Sequence, residues 1–193
     1  MEYAVKKISH FLLPYMKKTV NGKSLCNKIY FIKAGFVVVK NQDNVVSVIN
    51  SNQFIGLQFL FVKKDEFCDF YFEVDNQDIY ETDIESAKNL LLKKPGYNLY
   101  LAKALSKSIF NILDYNVICS SKSSYERILE TLKLINKLNS ASNSSIPLMN
   151  LIITLSGVSK SRVYHIVSEL KRGDYISIHD NSFQIKKKLP KRF

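Results

Sequence analysis

Hydrophobic positions change their spacing along this chain of 193 residues, and the first spacing is that of short strands. After a predicted helix over residues 3–18, broken near Pro14, residues 25–72 hold short runs rich in Val, Ile, Phe and Tyr. The runs read LCNKIYFI, GFVVVK, NVVSVI, FIGLQFLF and CDFYFEV, and turn formers such as NQDN and NSNQ separate them. Residues 75–80 are a candidate for one more strand. Strands this short and evenly spaced predict an antiparallel roll or barrel.

Helical periodicity follows the strands. Thr82, with Glu85 three residues later, predicts the start of a short helix that ends at Pro95-Gly96. Residues 97–119 form the longest helical segment. Its candidate contact face, spaced by threes and fours, is Leu101, Ala104, Leu105, Ile109, Ile112, Asn116 and Cys119. A face this broad predicts packing on more than one neighbour, such as the same helix of a second subunit, although packing on its own roll alone is the alternative.

The next helix is predicted to begin at a capping box, Ser123-Ser124-Tyr125-Glu126, and to run through Leu138. Its apolar face consists of Ile128, Leu129, Leu132, Ile135 and Leu138. The polar segment NSASNSS, residues 139–145, is the best candidate linker in the chain.

The last third combines a helix, a tight turn, a second helix and a hairpin. The first helix is PLMNLIITLSG, in which Pro147 suits the first turn and Gly157 lies where the chain bends sharply. Val158 is predicted to be buried and Ser159 to cap the second helix, which ends at Gly173. The buried face of that second helix is Val163, Ile166, Val167 and Leu170. Two short strands around the turn HDNS then complete the winged helix-turn-helix pattern.

Polar and cationic side chains on the second helix and the wing are the candidate DNA contacts. The predicted set is Ser159, Lys160, Ser161, Arg162, Tyr164, His165, Lys171, His179 and Asn181. Arg and Lys can donate to guanine, Ser can serve several bases, and free N–H groups at a helix start can bind phosphate. The basic tail after the wing (Lys186, Lys187, Lys188, Lys191 and Arg192) fits a solubilising terminus as well as a phosphate contact.

The charge distribution supports a polyanionic partner for the C-terminal end. The formal charge is +11, but 24 of the 28 basic residues are lysine, a bias that an AT-rich genome produces without any function. Residues 146–193 carry nine basic and three acidic residues, whereas residues 65–85 carry nine acids and no base. The basic end therefore suits DNA, and the acidic block is expected to face away from it.

Composition also argues against several other classes of protein. The three cysteines (Cys26, Cys68 and Cys119) are widely spaced and are predicted to be buried or partly buried apolar residues, with a redox-sensing thiol as the alternative. The three histidines lie far apart, and G-x-S-x-G and P-loop motifs are absent, so neither an enzyme nor a metal site is expected. No apolar run is long enough for a bilayer or a signal peptide, so we expect no membrane contact and a cytoplasmic location.

The runs SYERILETLKLI and GVSKSRVYHIVSELKRGDYISI resemble the CRP/FNR family of bacterial regulators, and the likeness extends over nearly the whole chain. Within it, the SY…R…TL run and the KLP end are most similar to the enterobacterial IprA/YaiV-like group. The resemblance implies a cyclic-nucleotide-binding-type roll, a long dimerisation helix and a winged helix. It implies base contacts by Lys160, Ser161 and His165, and phosphate contacts by Ser159 and Arg162.

The chain departs from the family pattern in the roll. Phe54-Ile55-Gly56 matches the family's F-x-G corner, but Leu57 stands where a ribose-binding Glu is expected. The stretch DEFCDFYFEV offers no Arg to hold a cyclic phosphate, so we expect a degenerate domain that binds no cyclic nucleotide. Three cysteines also fall short of the four that an iron–sulfur cluster needs, and no cofactor is expected.

These observations predict an α+β protein with an N-terminal antiparallel β-roll (residues 1–96), a dimerisation helix (97–121) and a C-terminal winged helix domain (122–193). The predicted function is a sequence-specific transcriptional regulator that binds a pseudo-palindromic operator in double-stranded DNA as a homodimer, with RNA polymerase a candidate further partner. The predicted dimerisation residues are Leu101, Leu105, Ile109, Ile112 and Asn116.

One alternative is a regulator whose roll binds an apolar small ligand. Its aromatic residues, which could also be simple core, are Phe36, Phe54, Phe59, Phe61, Phe70 and Phe72. Another is a protein-interaction module that uses the winged helix without DNA.

Overall fold

The computed structural model describes residues 2–19, 28–42, 44–62, 70–75, 78–139, 146–179 and 182–190. The chain divides into two compact units, Met1–Leu113 and Asp114–Phe193. The predicted fold class is confirmed, because antiparallel sheets, a long helix and a winged helix-turn-helix follow one another along the chain. Cys26, Cys68 and Asn181 lie outside the described residues.

The first unit is built from antiparallel strands and flanking helices. Its elements in chain order are α1 (Glu2–Leu12), β1 (Lys17–Thr19), β2 (Lys28–Ile32), β3 (Phe36–Asn41), β4 (Asn44–Asn50), β5 (Gln53–Ile55), β6 (Phe70–Asp75), β7 (Ile79–Asp83), α2 (Ile84–Leu91) and the greater part of α3 (Tyr97–Cys119). The described strands form one sheet in the order β1-β7-β2-β5 and another in the order β4-β3-β6. Every described pairing in the two sheets is antiparallel.

One core joins both sheets to the helices of this unit. Ile8 of α1, Ile32 of β2, Val37 of β3, Leu91 of α2 and Leu101 of α3 are all fully buried in it. Burial of apolar side chains from each element is the main force that holds them together. The start of α3 is therefore part of the first unit.

The predicted helix over residues 3–18 breaks near Pro14 as expected, but its last residues are not helical. The helix α1 ends at Leu12, a single 3₁₀ turn spans Leu13–Tyr15, and the chain then forms β1. Pro14 has no backbone N–H and cannot continue an α-helix, so the chain straightens after it. Lys17–Thr19 then pairs with β7, a long-range contact that local periodicity does not reveal.

The predicted strand FIGLQFLF is also wrong beyond its first residues. The strand β5 ends at Ile55, and Leu57–Leu60 form a 3₁₀ turn. Gly56 separates them with a φ of 89°, and a Cβ at this position would lie 2.5 Å from the Lys28 carbonyl oxygen. Only glycine fits both the left-handed backbone and the close approach, so the chain turns here.

The helix α2 begins one residue later than predicted and ends four residues before Pro95. Thr82 is a buried residue of β7, and the cap is Asp83, whose side-chain oxygen accepts a hydrogen bond of 2.7 Å from the Ser86 amide. This hydrogen bond holds the pKa of the Asp83 carboxyl below its usual range. Strand pairing decided the boundary, because Thr82 lies opposite Ile29 of β2.

The long helix α3 covers the residues that its periodicity predicts, Tyr97–Cys119. The expectation that every cysteine is buried or partly buried is wrong for Cys119, which is exposed. Cys119 lies at the last residue of α3, where the helix ends.

The second unit contains three helices and a hairpin after the end of α3. They are α4 (Ser124–Asn139), α5 (Leu148–Ser156), α6 (Lys160–Arg172), β8 (Ile176–His179) and β9 (Ser182–Ile185). The predicted apolar face of α4 is buried throughout, with Ile128, Leu132 and Ile135 fully enclosed. The capping box is present in altered form. Ser123 Oγ accepts from the Glu126 amide at 3.1 Å, but the Glu126 carboxylate accepts from the Lys122 amide rather than from Ser123.

Candidate nucleic-acid interface

The bend between α5 and α6 has the geometry of a helix-turn-helix. Gly157 ends α5 with a φ of 61°, and its amide donates to the Ile153 carbonyl at 3.0 Å. The next residue, Val158, is buried as predicted, and its amide donates to Ser156 Oγ at 3.3 Å. The left-handed Gly157 turns the chain sharply, and α6 begins only three residues later, at Lys160.

The helix α6 is strongly two-sided. Val163, Ile166, Val167 and Leu170 are all buried, as the sequence predicts. The exposed positions are Lys160, Ser161, Arg162, Tyr164, His165, Ser168, Lys171 and Arg172. The predicted contacts on this helix are therefore brought together on one exposed face, with the most polar of them near its N-terminal end.

The start of α6 retains free hydrogen-bonding groups. Ser159 occupies the cap position, but its hydroxyl makes no capping hydrogen bond, so the predicted side-chain cap is wrong. A ψ of 145° keeps Ser159 extended, and its carbonyl accepts from the Val163 amide at 3.0 Å. The first amides of the helix consequently have no side-chain partner from Ser159, and the positive end of the helix dipole faces outward.

Charged side chains on α6 have few partners. The Lys160 Nζ atom lies 5.9 Å from the centre of the Tyr164 ring, a cation–π contact between residues one helical turn apart. Arg172 is bound to Glu169 at 2.6 Å, one turn away. Among the described residues, Arg162 and Lys171 form no salt bridge, so their charges are available to an external anion.

The hairpin follows α6 closely, with paired strands one residue longer than predicted at the turn. His179 pairs with Ser182 across the ladder, so both residues of the predicted turn HDNS that flank Asp180-Asn181 belong to strands. His179 is exposed at this end of the hairpin. The predicted contact at Asn181 lies outside the described residues.

A buried tyrosine holds the end of α3 to the helix-turn-helix. The Tyr115 hydroxyl donates to the Leu155 carbonyl at 2.8 Å, close before Gly157 in the chain. Burial raises the pKa of Tyr115 well above its usual range, and the neighbouring Cys119 adds to the shift. The hydroxyl, which is a donor at neutral pH in any tyrosine, therefore remains a donor at alkaline pH as well. The periodicity of the sequence assigns no role to Tyr115. Its role in holding α3 to α5 follows from its hydrogen bond to the Leu155 carbonyl.

The predicted dimerisation residues divide into two groups. Leu101 is fully buried and Leu105 half-buried in the core of the first unit, whereas Ile109, Ile112 and Asn116 are exposed. Other exposed apolar side chains on α3 lie outside the predicted dimerisation set. They are Leu99, Phe110, Leu113 and Val117, each more than half exposed. The sequence indicates such exposed residues only indirectly, because α3 has more apolar residues than one buried face of a helix needs.

The first unit also contains a mostly apolar cavity of about 440 Å³. Phe54 and Phe59 from the roll and Leu105, Ile109 and Ile112 from α3 line it. Its described lining holds no charged side chain, and the polar groups among it are Ser47, Gln58 and Ser108. Leu57, which follows Gly56 and stands where the family pattern expects a Glu, is buried.

Of the other roll aromatics, Phe36 is buried in the core and Phe61 is exposed. The side chains of Phe70 and Phe72 lie outside the description.

The second unit matches a known family of protein domains. A family described as winged helix-turn-helix DNA binding matches residues 124–191, which contain α4 through the hairpin. This unit is therefore a winged helix-turn-helix domain. No curated protein sequence matches the chain significantly.

The whole chain then has the fold of CRP/FNR-type regulators. It is similar to the c-di-GMP responsive global regulator CLP of Xanthomonas campestris, with 14% identity and a TM-score of 0.67 over 95% of this chain and 100% of the other. A CRP-family regulator of Thermus thermophilus has 12% identity and a TM-score of 0.68 over 89% and 92% of the two chains. A second regulator of the same organism, of the CRP/FNR family, has 15% identity and a TM-score of 0.61 over 89% of each chain. At these identities the likeness defines the fold. No helix of the described residues is long and apolar enough to cross a membrane.

Proposed function

We propose that the protein is a sequence-specific DNA-binding transcriptional regulator that reads duplex DNA with α6. One observation carries this proposal: α6 buries its apolar face and exposes Lys160, Ser161, Arg162 and His165 together near its N-terminal end. The major groove, about 12 Å wide, admits one α-helix. The winged helix family match and the regulator fold support the same reading.

Within this interface, two kinds of contact are expected. Lys160, Ser161 and His165 face the base edges, where a cation donates to guanine and a hydroxyl or imidazole serves other bases. Ser159 and Arg162 contact phosphates, and the uncapped amides at the start of α6 strengthen that contact. Phosphate contacts set the position of the protein on DNA, and base contacts set its sequence preference.

The proposed active form is a homodimer joined through α3. The exposed side chains of Leu99, Ile109, Phe110, Ile112 and Leu113 make an apolar surface that is unusual for a monomer. A homodimer carries two recognition helices, which fits a pseudo-palindromic operator whose two half-sites lie on successive turns of DNA. RNA polymerase is then the natural further partner of a regulator bound to a promoter.

Footprinting tests the proposal. The wild-type protein should bind selected duplexes at a salt concentration of about 50 mM and protect two backbone segments about 34–36 Å apart, one helical turn. Affinity should fall steeply as salt rises, because lysine and arginine displace counterions from phosphates. A chain that binds no duplex even at low salt would contradict the proposal and would leave a protein-interaction module as the better account.

A second candidate function adds control by an apolar small molecule. The observation in its favour is the cavity of about 440 Å³, within the range of drug-sized ligand sites and lined mainly by apolar side chains. The described lining offers no cation to a cyclic phosphate. A ligand in it would touch Leu105, Ile109 and Ile112 of α3, the proposed dimer helix.

Thermal unfolding distinguishes the liganded from the ligand-free regulator. Fatty acids or apolar heterocycles should raise the Tm of the wild-type protein, and Ile49→Trp, which fills the cavity, should abolish the shift without abolishing DNA binding. Equal shifts in both proteins, or none in either, would exclude this cavity as the ligand site.

A further inference from the structure

The chain that follows the hairpin is fixed to the second unit. The Tyr125 hydroxyl of α4 donates to the Pro190 carbonyl at 2.8 Å, across 65 residues of sequence. Leu189 and Pro190 are half-buried. At the other end of the tail, the Lys186 amide donates to the Tyr175 carbonyl at 2.9 Å. Residues 186–190 are therefore held at both ends.

This anchoring leaves two lysines exposed between the anchor points. Lys187 and Lys188 are exposed, and neither forms a salt bridge with an acid in the part of the chain that the structure describes. The Lys187 Nζ atom lies 5.0 Å from the centre of the Tyr175 ring, which restricts where its charge lies. A restricted cation loses less conformational entropy on binding an anion than a freely moving one.

The end of α6 contributes further cations at the same place. The Tyr175 amide donates to the Leu170 carbonyl at 2.9 Å, so this turn returns the chain to the last turn of α6. We define the tail patch as Lys171, Arg172, Lys186, Lys187 and Lys188. Its acids are Glu169, which binds Arg172, and Asp174, which binds Lys186 at 2.7 Å and also lies near Lys187. Five cations and two paired acids leave a net positive surface.

We propose that the tail patch is a second phosphate-binding surface for the DNA backbone, which Tyr125 positions by holding Pro190. The proposal rests on the proposed function, since it needs α6 in a groove. Lys160 and Lys171 are eleven residues apart on α6. At about 1.5 Å per residue they are roughly 16 Å apart along the axis. Because α6 enters the groove by its N-terminal end, its far end lies beyond the groove depth of about 8.5 Å and reaches the level of the phosphate strands.

The tail patch adds affinity without adding sequence preference, because phosphates are the same at every base step. This separates it from Lys160, Ser161 and His165, the proposed base contacts near the N-terminal end of α6. It also separates it from a solubilising terminus, whose lysines would not release counterions on binding.

The experiment measures duplex affinity from about 50 to 200 mM salt for the full-length wild type and for Lys187→Ala/Lys188→Ala. Each phosphate contact contributes about 0.9 to the slope of log affinity against log salt. Loss of two contacts should lower the slope by roughly 1.8 per bound subunit, so over this range the wild type loses about tenfold more affinity per bound subunit than the variant. The matched control, Lys93→Ala/Lys103→Ala, removes two exposed lysines of the first unit and should keep the wild-type slope.

Tyr125→Phe tests the positioning role, with Tyr3→Phe as a control that removes an exposed hydroxyl elsewhere. Tyr125→Phe should lower the salt slope and leave the selected DNA sequence unchanged, whereas Tyr3→Phe should change neither. Circular dichroism at the assay temperature verifies that each variant is folded.

The outcomes separate the two proposals. A wild type that binds no duplex overturns the proposed function and this inference together. A wild type that binds, with an unchanged slope in the double lysine variant, overturns the tail patch alone. A lowered slope in the lysine variant with an unchanged slope in Tyr125→Phe supports the patch and overturns the role of Tyr125.

Discussion

At the scale of single residues, the structure assigns roles by burial. Val163 and Leu170 are buried where helical spacing places them, and Gly157 adopts the left-handed backbone that the turn requires. Their roles were predictable because each follows from a local rule. The roles of Tyr115 and Tyr125 were not, since each depends on a carbonyl 40 or 65 residues away in the sequence.

The exposed Arg162 should act on DNA affinity without acting on sequence preference. Replacing it by alanine removes one phosphate contact per bound subunit, so the salt slope should fall by about 0.9 per subunit and binding should weaken similarly for all duplexes. Fluorescence anisotropy with several duplexes measures both quantities. A change in the preferred sequence would show instead that Arg162 contacts bases.

The Tyr115 hydroxyl should stabilise the second unit. Tyr115→Phe leaves the Leu155 carbonyl without this donor, which should cost about 1–2 kcal/mol of unfolding free energy. Urea unfolding measures the loss, with Tyr3→Phe as the exposed control. Equal stability of Tyr115→Phe and the wild type would show that this hydrogen bond contributes nothing.

The same group should make stability depend on alkaline pH. The folded pKa of Tyr115 is raised above the ordinary 10.0, so its contribution is present in full below the ordinary value and is lost as the pH rises toward the folded one. The wild type should therefore lose stability above about pH 10 more steeply than Tyr115→Phe. Parallel curves of unfolding free energy against pH would contradict this assignment.

At the scale of elements, local patterns predicted the long helices better than the strands. The bounds of α3 and the buried face of α4 follow from periodicity alone. The strand β1 was missed because its three residues have no apolar alternation and are held by β7. The strand β5 was predicted too long because an apolar run continues past Gly56 into a 3₁₀ turn.

Gly56 gives this turn a measurable test. Gly56→Ala forces a Cβ to 2.5 Å from the Lys28 carbonyl oxygen at a φ of 89°, and should destabilise the first unit by roughly 2–3 kcal/mol. Gly96→Ala is the matched control, because its φ is 83° but nothing lies within 4 Å of the added Cβ. It should cost only about 1 kcal/mol. Equal losses in thermal unfolding would show that the close approach is unimportant.

At the scale of the whole molecule, α3 is the helix through which we propose that two copies of the chain assemble. Its broad apolar periodicity predicted more than one neighbour, and the structure leaves Phe110 and Leu113 about half exposed. Sequence alone did not separate the residues that face the roll from those left outside, because both groups are apolar. Leu101 was assigned to the dimer for that reason, although it is fully buried in the first unit.

The dimer proposal predicts a loss of assembly in Leu113→Asp. A carboxylate placed in an apolar contact should cost at least about 2 kcal/mol, which raises the dimer Kd about thirtyfold. Sedimentation equilibrium compares this variant with Asn98→Asp, which adds the same charge at an exposed position of α3. A wild type that is monomeric at concentrations of tens of micromolar, or a Leu113→Asp variant as dimeric as the control, would refute assembly through this face.

Selection of bound duplexes from a random pool tests the reading of DNA by α6 most directly. The wild type should enrich one pseudo-palindromic sequence, and Lys160→Ala and His165→Ala should each relax the preference at a different position of each half-site, by about 1–3 kcal/mol. The same enriched sequence in the wild type and in both variants would contradict the assignment of α6 as the recognition helix.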